Sequence, residues 1–196
     1  MFPYEVRKNV FDPELLQAVI SDRPARSEDW QHFNNGPLEG GKWAKADNLP
    51  ASAMKLAGQM AELGKVWGQE LFGADDLIGS VYGGGYHSIE PGGVLGIHTD
   101  FNRAGGKYRR ANMLCYLNKN WADEGGCLEL HDDDGLVAEI VPELGTVALM
   151  ESSDRAWHGH PKPAKRWRHS FAIYLFSDSP QEGATTMDKS TVFRDA

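Results

Sequence analysis

The sequence has 196 residues, of which 41% are apolar and 24% are charged, and this length suits a single domain and is too short for two ordinary ones. Its 20 basic and 28 acidic residues give a net charge of −8, which argues against nucleic acid as a partner because phosphate binding needs a clustered basic face. The N-terminus lacks the apolar run of a secretory signal, and no stretch approaches the roughly 18 uncharged residues of a membrane span, so we expect a cytoplasmic protein with no membrane partner.

Three segments are distinguished within the expected single domain, 1–196. Residues 1–77 are interpreted as a helical support that includes a candidate lid. Residues 78–178 form a β-rich core, and residues 179–196 form a C-terminal tail.

Two helices are predicted in the first segment. The first follows Asp12, with Pro13 as its first residue, because aspartate caps a helix N-terminus and proline is tolerated at the first helical position. Between the helices, residues 24–48 are polar and irregular, which fits a lid on the substrate side or a packed loop. The second helix covers about 51–72 and ends at Gly73, and we expect it to buttress a sheet. Its predicted apolar stripe consists of Met54, Leu56, Met60, Leu63, Val66, Trp67 and Leu71.

From residue 78 the pattern changes to short apolar runs separated by glycine, proline and aspartate. The runs are IGSVYGGGYHSI, VLGIH, RANMLCYLN, GCLELHD, LVAEIV, GTVALME, AWHGH and RHSFAIYLFS. They predict eight strands, and Asp134-Gly135 predicts a hairpin turn between two of them. Such spacing indicates a sandwich or barrel of jelly-roll type with the helices packed on one sheet.

The two cysteines, Cys115 and Cys127, lie in strand-like apolar stretches. In a protein expected in the cytoplasm, such thiols are predicted to be reduced. A disulfide between them is therefore not expected.

A histidine and an aspartate two positions apart, His98 and Asp100, are candidate metal ligands. The pair alone is common by chance, so a third ligand is needed. His158 is the candidate, and His160 is its rival because it shares the same strand face. Two histidines and one carboxylate leave three positions of an octahedral ion open, as in non-haem Fe(II) oxygenases, although zinc hydrolases also use three protein ligands. Arg168, ten residues after His158, favours the oxygenase because a zinc hydrolase has no need of it.

The stretch MLCYLNKNWADEGGCLELHD, residues 113–132, contains a tyrosine, a Leu-Asn pair, a tryptophan and a Gly-Gly pair. Together with the His-x-Asp motif before it and the histidine and arginine after it, the stretch resembles the Fe(II)- and 2-oxoglutarate-dependent dioxygenases, in particular their prolyl-4-hydroxylase-like branch. The resemblance covers about residues 78–178. It implies a mainly β (α+β) fold, the double-stranded β-helix or jelly roll, with supporting N-terminal helices. It also implies that the iron ligands are His98, Asp100 and His158.

The same resemblance assigns three residues to the co-substrate. Arg168 would pair with the distal carboxylate of 2-oxoglutarate, a task that suits the fork of a guanidinium. Tyr116 would donate its hydroxyl to the same carboxylate, and Ser170, on the strand face of Arg168, resembles the serine of an Arg-x-Ser variant. Many relatives carry a tyrosine where this chain has Ile89. The candidates to replace that contact are Tyr82, Tyr86 and His87.

The loop RAGGKYRR, residues 103–110, is a basic exception in an acidic chain. It fits a solvated loop or a loop that meets an anionic group of a small substrate. Asn112 lies on the side of its strand that carries Tyr116, so it faces the substrate or co-substrate, or else is a polar residue of the core. The candidate substrate residues are Arg103, Arg109, Arg110 and Asn112.

Two other histidines are interpreted as structural. His131 precedes Asp132, Asp133 and Asp134, a group that suggests a second metal site but fits a solvated turn better. His169 is directed away from the partners of Arg168 by strand alternation.

The resemblance implies Fe(II), 2-oxoglutarate as co-substrate and O2, with succinate and CO2 as co-products and ascorbate as a candidate reductant. It favours hydroxylation over halogenation, because related halogenases replace the carboxylate ligand that Asp100 retains, although desaturation and cyclisation use the same ligands. The short chain and its basic loop favour a small molecule such as an amino acid or a natural-product intermediate as substrate. The alternatives are hydroxylation of a prolyl or other residue in a peptide or protein, and a non-catalytic jelly-roll module that binds metal. The sequence leaves the oligomeric state open.

Overall fold

The structure is a computed structural model, and it describes residues 1–26, 29–181 and 191–194. The described chain forms twelve strands and two helices. The helices are α1 (Pro13–Ser21) and α2 (Ala51–Phe72). The strands are β1 (Tyr4–Lys8), β2 (Gln31–Phe33), β3 (Glu39–Lys45), β4 (Ile78–Thr99), β5 (Arg103–Ala104), β6 (Lys107–Tyr116), β7 (Leu128–Asp132), β8 (Gly135–Ile140), β9 (Thr146–Glu151), β10 (Trp157–His160), β11 (Arg168–Ser177) and β12 (Val192–Phe193).

The strands form one curled antiparallel sheet in the order β1-β9-β6-β11-β4-β10-β7-β8. Its central strand, β4, pairs with β11 along its first part and with β10 along its last part. Strands β3 and β12 also pair with β4, β2 pairs with β3, and β5 pairs with β6. The mainly β prediction with two helices is confirmed, and the two runs IGSVYGGGYHSI and VLGIH are parts of the single strand β4.

The course of β4 depends on glycine where β3 approaches it closely. Gly85 has a φ of +75°, and a Cβ atom there would lie 2.2 Å from the carbonyl oxygen of Lys45 in β3. Glycine alone combines the left-handed backbone with the space for a neighbouring strand. The residue therefore allows β3 to pair with β4, the strand that carries the candidate metal ligand His98.

Helix α1 begins as predicted, and α2 begins and ends as predicted. Asp12 caps α1, because its side chain accepts a hydrogen bond from the backbone N–H of Glu14, and Pro13 is the first helical residue. Helix α2 ends at Gly73, which is left-handed. Among the described residues, no helix has both the length and the apolar character needed to cross a membrane.

The buried face of α2 differs from the predicted stripe. Met54 and Val66, which belong to that stripe, are exposed. Small residues take their place against the sheet, because a Cβ atom on Gly64 would lie 2.8 Å from the Leu175 side chain of β11. Close packing of helix and sheet thus shifts the contact face from the largest side chains toward glycine and alanine. The buried residues of α2 are Ala53, Leu56, Ala57, Met60, Gly64, Trp67 and Gly68.

The prediction that residues 24–48 are irregular is wrong in part. Strands β2 and β3 form a hairpin there, and β3 pairs with β4 from Glu39 to Lys45. Strand β1, which pairs with β9, is also absent from the predicted elements. Strands β2 (QHF) and β3 (EGGKWAK) lack the sustained alternation of apolar and polar residues that marks a strand in sequence. Strand β1 (YEVRK) does alternate from Tyr4 to Arg7, a short signal that the prediction missed.

The predicted hairpin between β7 and β8 is confirmed with a shift of one residue. Asp132 pairs with Gly135, so the two turn residues are Asp133 and Asp134. Gly135 has a φ of +122° and opens β8.

Two buried clusters form the core. One joins the helices to the sheet and includes Trp67, Tyr86 and Phe171, while the other includes Phe2 and Leu130 beside β1 and β7. Both cysteines are free thiols, as predicted.

Candidate metal centre

The end of β4 and the start of β10 bring three potential ligands together. His98 and Asp100 are two residues apart and so share one side of the chain, and His158 is the direct antiparallel partner of His98. One ligand atom from each residue lies within 4.8 Å of the others. This is the single group of its kind among the described residues.

The two imidazole rings are held in the form that suits a metal. The Nδ1 atom of His98 lies 2.8 Å from the carbonyl oxygen of Gly96, and Nδ1 of His158 lies 2.9 Å from that of Ala156. A carbonyl only accepts, so each Nδ1 donates and each Nε2 keeps its lone pair for a ligand bond. Burial, with the nearby His158, lowers the pKa of His98 to about 3, so this ring is neutral at physiological pH.

The Nε2 atoms face the carboxylate from two sides. Nε2 of His98 is 3.7 Å from Oδ1 of Asp100, and Nε2 of His158 is 3.4 Å from Oδ2. The ring centroids of the two histidines are 4.4 Å apart. Two imidazoles and one carboxylate on one side of a buried point form the donor set of a facial triad, which fits Fe(II).

Two side chains of β6 hold the carboxylate of Asp100 in place. Its Oδ2 atom accepts hydrogen bonds from Nη2 of Arg109 at 2.8 Å and from Nδ2 of Asn112 at 2.7 Å. Arg109 is itself fixed, because its Nε donates to Oδ1 of Asn112 and its guanidinium lies 3.5 Å from the ring centre of Tyr174. Burial alone would raise the pKa of Asp100, but the charge of Arg109 opposes it, and that pKa lies well below its ordinary value.

The rival ligand, His160, lies outside the triad. It is the partner of Leu95, with a shift in strand register between it and His158. It is buried and, like His158, lines a cavity beside the triad. Of the other histidines, His131 contacts Glu129 at 3.0 Å and His169 contacts Ser88 at 2.9 Å, which agrees with their structural interpretation.

A cavity extends from the triad toward β11, and we call it the inner cavity. Residues that line it include Lys42, His87, His98, Asp100, Arg168 and Ser170. Arg168 is buried, and its Nε donates to the carbonyl oxygen of Gly126 at 2.7 Å. Its Nη2 donates to the Tyr116 hydroxyl at 3.2 Å. The three residues assigned to the co-substrate thus lie together, with Arg168 and Ser170 at the cavity wall.

The position expected to hold a tyrosine is Ile89, which lines the inner cavity. Of its three candidate replacements, His87 also lines the cavity and is the partner of Ser170. Tyr82 is exposed, and the hydroxyl of Tyr86 donates to the carbonyl oxygen of Val19 in the core. His87 therefore takes the place nearest the co-substrate residues.

A bulge in β6 separates the candidate substrate residues, because the pairing with β11 shifts between Ala111 and Arg109 and brings Arg109 to the side of Asn112. Arg109 and Asn112 line the inner cavity. Arg110 points the other way and donates to Ser177 and Gln181. Arg103 lies in β5 with its guanidinium 5.7 Å from the ring centre of Tyr108.

A second cavity, which we call the outer cavity, lies on the other side of Asp100. Three elements contribute to its wall, namely the β2–β3 hairpin, which lies in the segment 24–48 interpreted as a candidate lid, the residues after β4, and strand β12. Residues that line it include Phe33, Glu39, Lys42, Phe101, Tyr174 and Phe193. Strand β12 pairs with Thr99 and His98, and no local motif in the sequence indicates that pairing.

Comparison with known proteins agrees with this geometry. Residues 84–176 match the sequence profile of the 2OG-Fe(II) oxygenase superfamily. A search of curated proteins gives no significant match.

Several solved structures share the fold over most of both chains. A prolyl-4-hydroxylase from Pseudomonas putida aligns with a TM-score of 0.70 at 19% identity, over 89% of this chain and 92% of its own. A prolyl hydroxylase from Trichoplax adhaerens was solved with a peptide fragment of the hypoxia inducible factor oxygen degradation domain. It aligns with a TM-score of 0.69 at 18% identity, over 89% of this chain and 84% of its own. HygX from Streptomyces hygroscopicus, solved with nickel and 2-oxoglutarate, aligns with a TM-score of 0.64 at 13% identity, over 97% and 93%. The predicted double-stranded β-helix fold is thereby confirmed.

Proposed function

Since residues 84–176 make this chain a member of the 2OG-Fe(II) oxygenase superfamily, we propose that it hydroxylates an unactivated C–H bond of a small molecule, such as an amino acid or a natural-product intermediate. The observation that carries the proposal is the convergence of His98, Asp100 and His158 beside a cavity that contains the buried Arg168. When bound, Fe(II) would activate O2, the oxidant, which takes two electrons from the oxidative decarboxylation of 2-oxoglutarate to succinate and CO2 and two from the C–H bond of the substrate.

Arg168 is the residue that binds the distal carboxylate of 2-oxoglutarate in this proposal. Its two hydrogen bonds, to Gly126 and Tyr116, fix the plane of the guanidinium. A fixed guanidinium loses little conformational freedom when it pairs with a carboxylate. Charge-assisted bonds of this kind are about twice as strong as neutral ones.

Tyr116 adds a donor to the same subsite. Its oxygen accepts from Arg168, so its own hydrogen is left for the carboxylate. Burial raises the pKa of Tyr116, which keeps the phenol protonated. Ser170 lies on the same strand face as Arg168 and supplies a further hydroxyl at the cavity wall.

The remaining residues of the site orient the ligands and limit access of water. Arg109 and Asn112 hold the Asp100 carboxylate in one orientation, and orientation of a metal ligand by an outer partner commonly affects metal affinity. His98, His158 and Arg168 are nearly inaccessible to solvent. Exclusion of water strengthens every electrostatic interaction in the site.

The outer cavity supports a compact substrate. The β2–β3 hairpin contributes Phe33 to one part of its wall and β12 contributes Phe193 to another, so two chain segments bound the approach to Asp100.

The second candidate is a prolyl hydroxylase that acts on a peptide or protein. The fold shared with the prolyl-4-hydroxylase from Pseudomonas putida favours that candidate.

Turnover of 2-oxoglutarate tests the proposal. The Fe(II)-loaded protein is incubated with 2-oxoglutarate, O2 and either a panel of small molecules or a panel of proline-containing peptides, and succinate and product mass are measured. With a small molecule as substrate, we expect succinate and a product heavier by one oxygen atom to form in equal amounts. The His158→Ala variant should form neither succinate nor this product. Turnover of peptides alone would favour the prolyl hydroxylase. If neither panel gives succinate, the result would favour a non-catalytic metal-binding module.

A further inference from the structure

The β3 strand presents an acid and a base to the outer cavity from positions that would normally face opposite sides. Glu39 and Lys42 are three residues apart, and residues at that spacing alternate in a regular strand. A register shift lies between Gly40 and Lys42, and Gly41 has a φ of +69°. Such bulges re-aim side chains and are frequent next to active sites. Both Glu39 and Lys42 consequently line the outer cavity.

The two side chains form an ion pair that is largely removed from solvent. Nζ of Lys42 is 3.3 Å from Oε1 of Glu39, and the two side chains are 19% and 13% exposed. Oε2 of Glu39 accepts from Nδ2 of Asn35 at 2.6 Å. An isolated pair in this setting contributes little to stability, because desolvation offsets most of the attraction. Because the pair lies at the wall of the cavity and adds little to stability, we attribute its presence to ligand binding.

The other charges of the site are bound to a candidate metal ligand or assigned to the co-substrate. Arg109 is bonded to Asp100, and the buried Arg168 lies in the inner cavity with Tyr116. Glu39 and Lys42 are thus the charges that the outer cavity offers to a substrate. Lys42 lines both cavities, so it lies on the path between the substrate and the co-substrate.

From this arrangement we propose that the substrate is a free amino acid, or a similarly compact zwitterion, whose carboxylate binds Lys42 and whose ammonium binds Glu39. A molecule with a single anionic group would meet repulsion from Glu39, and a residue inside a polypeptide carries neither charge. Four aromatic side chains, those of Phe33, Phe101, Tyr174 and Phe193, also line this cavity beside the smaller polar residues Asn35 and Thr191, so an apolar side chain of the amino acid has a surface to pack on. The inference rests on the proposed function and names the substrate class of the same site.

Binding to the anaerobic protein loaded with Fe(II) and 2-oxoglutarate tests this substrate class without turnover. The probes are L-proline, L-leucine, L-isoleucine and L-phenylalanine, each with its N-acetyl and carboxamide derivatives, and calorimetry measures their affinity. We expect at least one free amino acid to bind, and both derivatives to bind at least tenfold more weakly, since each loses one charged contact.

Two variants assign the contacts. Glu39→Gln should weaken the free amino acid about tenfold but should not weaken its N-acetyl derivative, because that derivative lacks the ammonium and is relieved of repulsion from Glu39. Lys42→Met should weaken the free amino acid similarly but should not weaken its carboxamide, which lacks the carboxylate and is relieved of repulsion from Lys42. In both variants the visible charge-transfer band of the Fe(II)–2-oxoglutarate complex should persist, which shows that the fold and the inner cavity are intact.

Several results would overturn the inference. Equal affinity of free and derivatised amino acids would do so, and so would loss of 2-oxoglutarate affinity in Lys42→Met with amino-acid affinity unchanged. Failure of every amino acid to bind to a protein that forms the band would remove this substrate class and leave the proposed oxygenase intact. Absence of the band from the wild-type protein would remove both.

Discussion

Arg109 and Arg110 are neighbours in β6 with opposite surroundings. Substitutions at these two positions therefore distinguish an effect on the metal ligand Asp100 from an effect on the fold. Arg109 donates to Asp100 at 2.8 Å, whereas Arg110 donates to Ser177 and Gln181 on the other side of the strand. Both side chains are buried. A matched substitution at the two positions therefore removes the same charge from the same strand.

We predict that Arg109→Gln lowers affinity for Fe(II) by about 10- to 100-fold, which is the usual effect of removing an outer partner of a metal ligand. Arg110→Gln should leave that affinity unchanged. Anaerobic equilibrium titration with Fe(II) measures both. If Arg110→Gln weakens metal binding as much as Arg109→Gln, the effect belongs to the fold and not to Asp100.

Arg168 and Tyr116 provide the second prediction at this scale. Arg168→Lys should weaken 2-oxoglutarate binding at least tenfold, because an ammonium cannot reproduce the planar fork of a guanidinium. Tyr116→Phe should also weaken it, by the loss of one hydrogen bond to a charged group, about 1.5 to 3 kcal/mol. Calorimetry with 2-oxoglutarate on the metal-loaded protein measures both effects. Fe(II) affinity should remain at the wild-type level, and a parallel loss of it would contradict the separation of the two subsites.

At the scale of elements, the contact between β3 and β4 depends on the absence of a side chain at Gly85. Gly92, in the same strand, has a similar φ of +81°, but a Cβ atom there would have no neighbouring atom within 4 Å. Gly92→Ala should therefore cost about 1 kcal/mol from backbone strain alone. Gly85→Ala should cost a further 1 to 3 kcal/mol, approximately, from overlap with the backbone of Lys45.

Urea unfolding of the two variants checks this difference. Equal destabilisation would mean that β3 moves away from β4 at no cost. Since β3 carries Glu39 and Lys42, that result would also imply that the wall of the outer cavity is easily displaced.

The elements that were predicted correctly are those whose own residues carry the signal. Helix α1 has Asp12 and Pro13 at its start, and strands β6 to β11 are apolar runs bounded by turn residues. Strand β3 reads EGGKWAK and has no such pattern. Its pairing with β4 is a tertiary contact that depends on Gly85 and on the bulge at Gly41.

The same distinction applies to the site. His98 and Asp100 form a local motif, and His158 could be added because of its order and distance from Arg168. Glu39 and Phe193 reach the site from opposite ends of the chain through the β3 and β12 pairings. No spacing within the sequence brings those two residues together, so sequence reasoning could not assign them.

At the scale of the whole molecule, Tyr86 joins α1 to the sheet and makes stability depend on pH. Its hydroxyl donates to the carbonyl oxygen of Val19 at 2.8 Å. Burial raises the pKa of Tyr86 from 10.0 to about 12. Because the pKa is higher in the folded state, this contribution to stability is complete below about pH 10 and is lost as the pH rises toward 12.

We predict that the free energy of unfolding of the wild-type protein falls more steeply between pH 9.5 and about 11 than that of Tyr86→Phe. Tyr82→Phe is the matched control, since Tyr82 is 70% exposed, and it should follow the wild type. Urea unfolding at several pH values measures the three curves. Identical slopes for the wild type and Tyr86→Phe would contradict the buried position of the phenol.

The most direct test of the metal centre is an anaerobic titration of the whole protein with Fe(II) and 2-oxoglutarate, followed by the visible charge-transfer absorption of the complex. The wild type should give a saturable band that is absent from His158→Ala and present in His160→Ala. A band that survives in His158→Ala and disappears in His160→Ala, or no band in the wild type, would contradict the assignment of His98, Asp100 and His158 as the ligands of one ferrous ion.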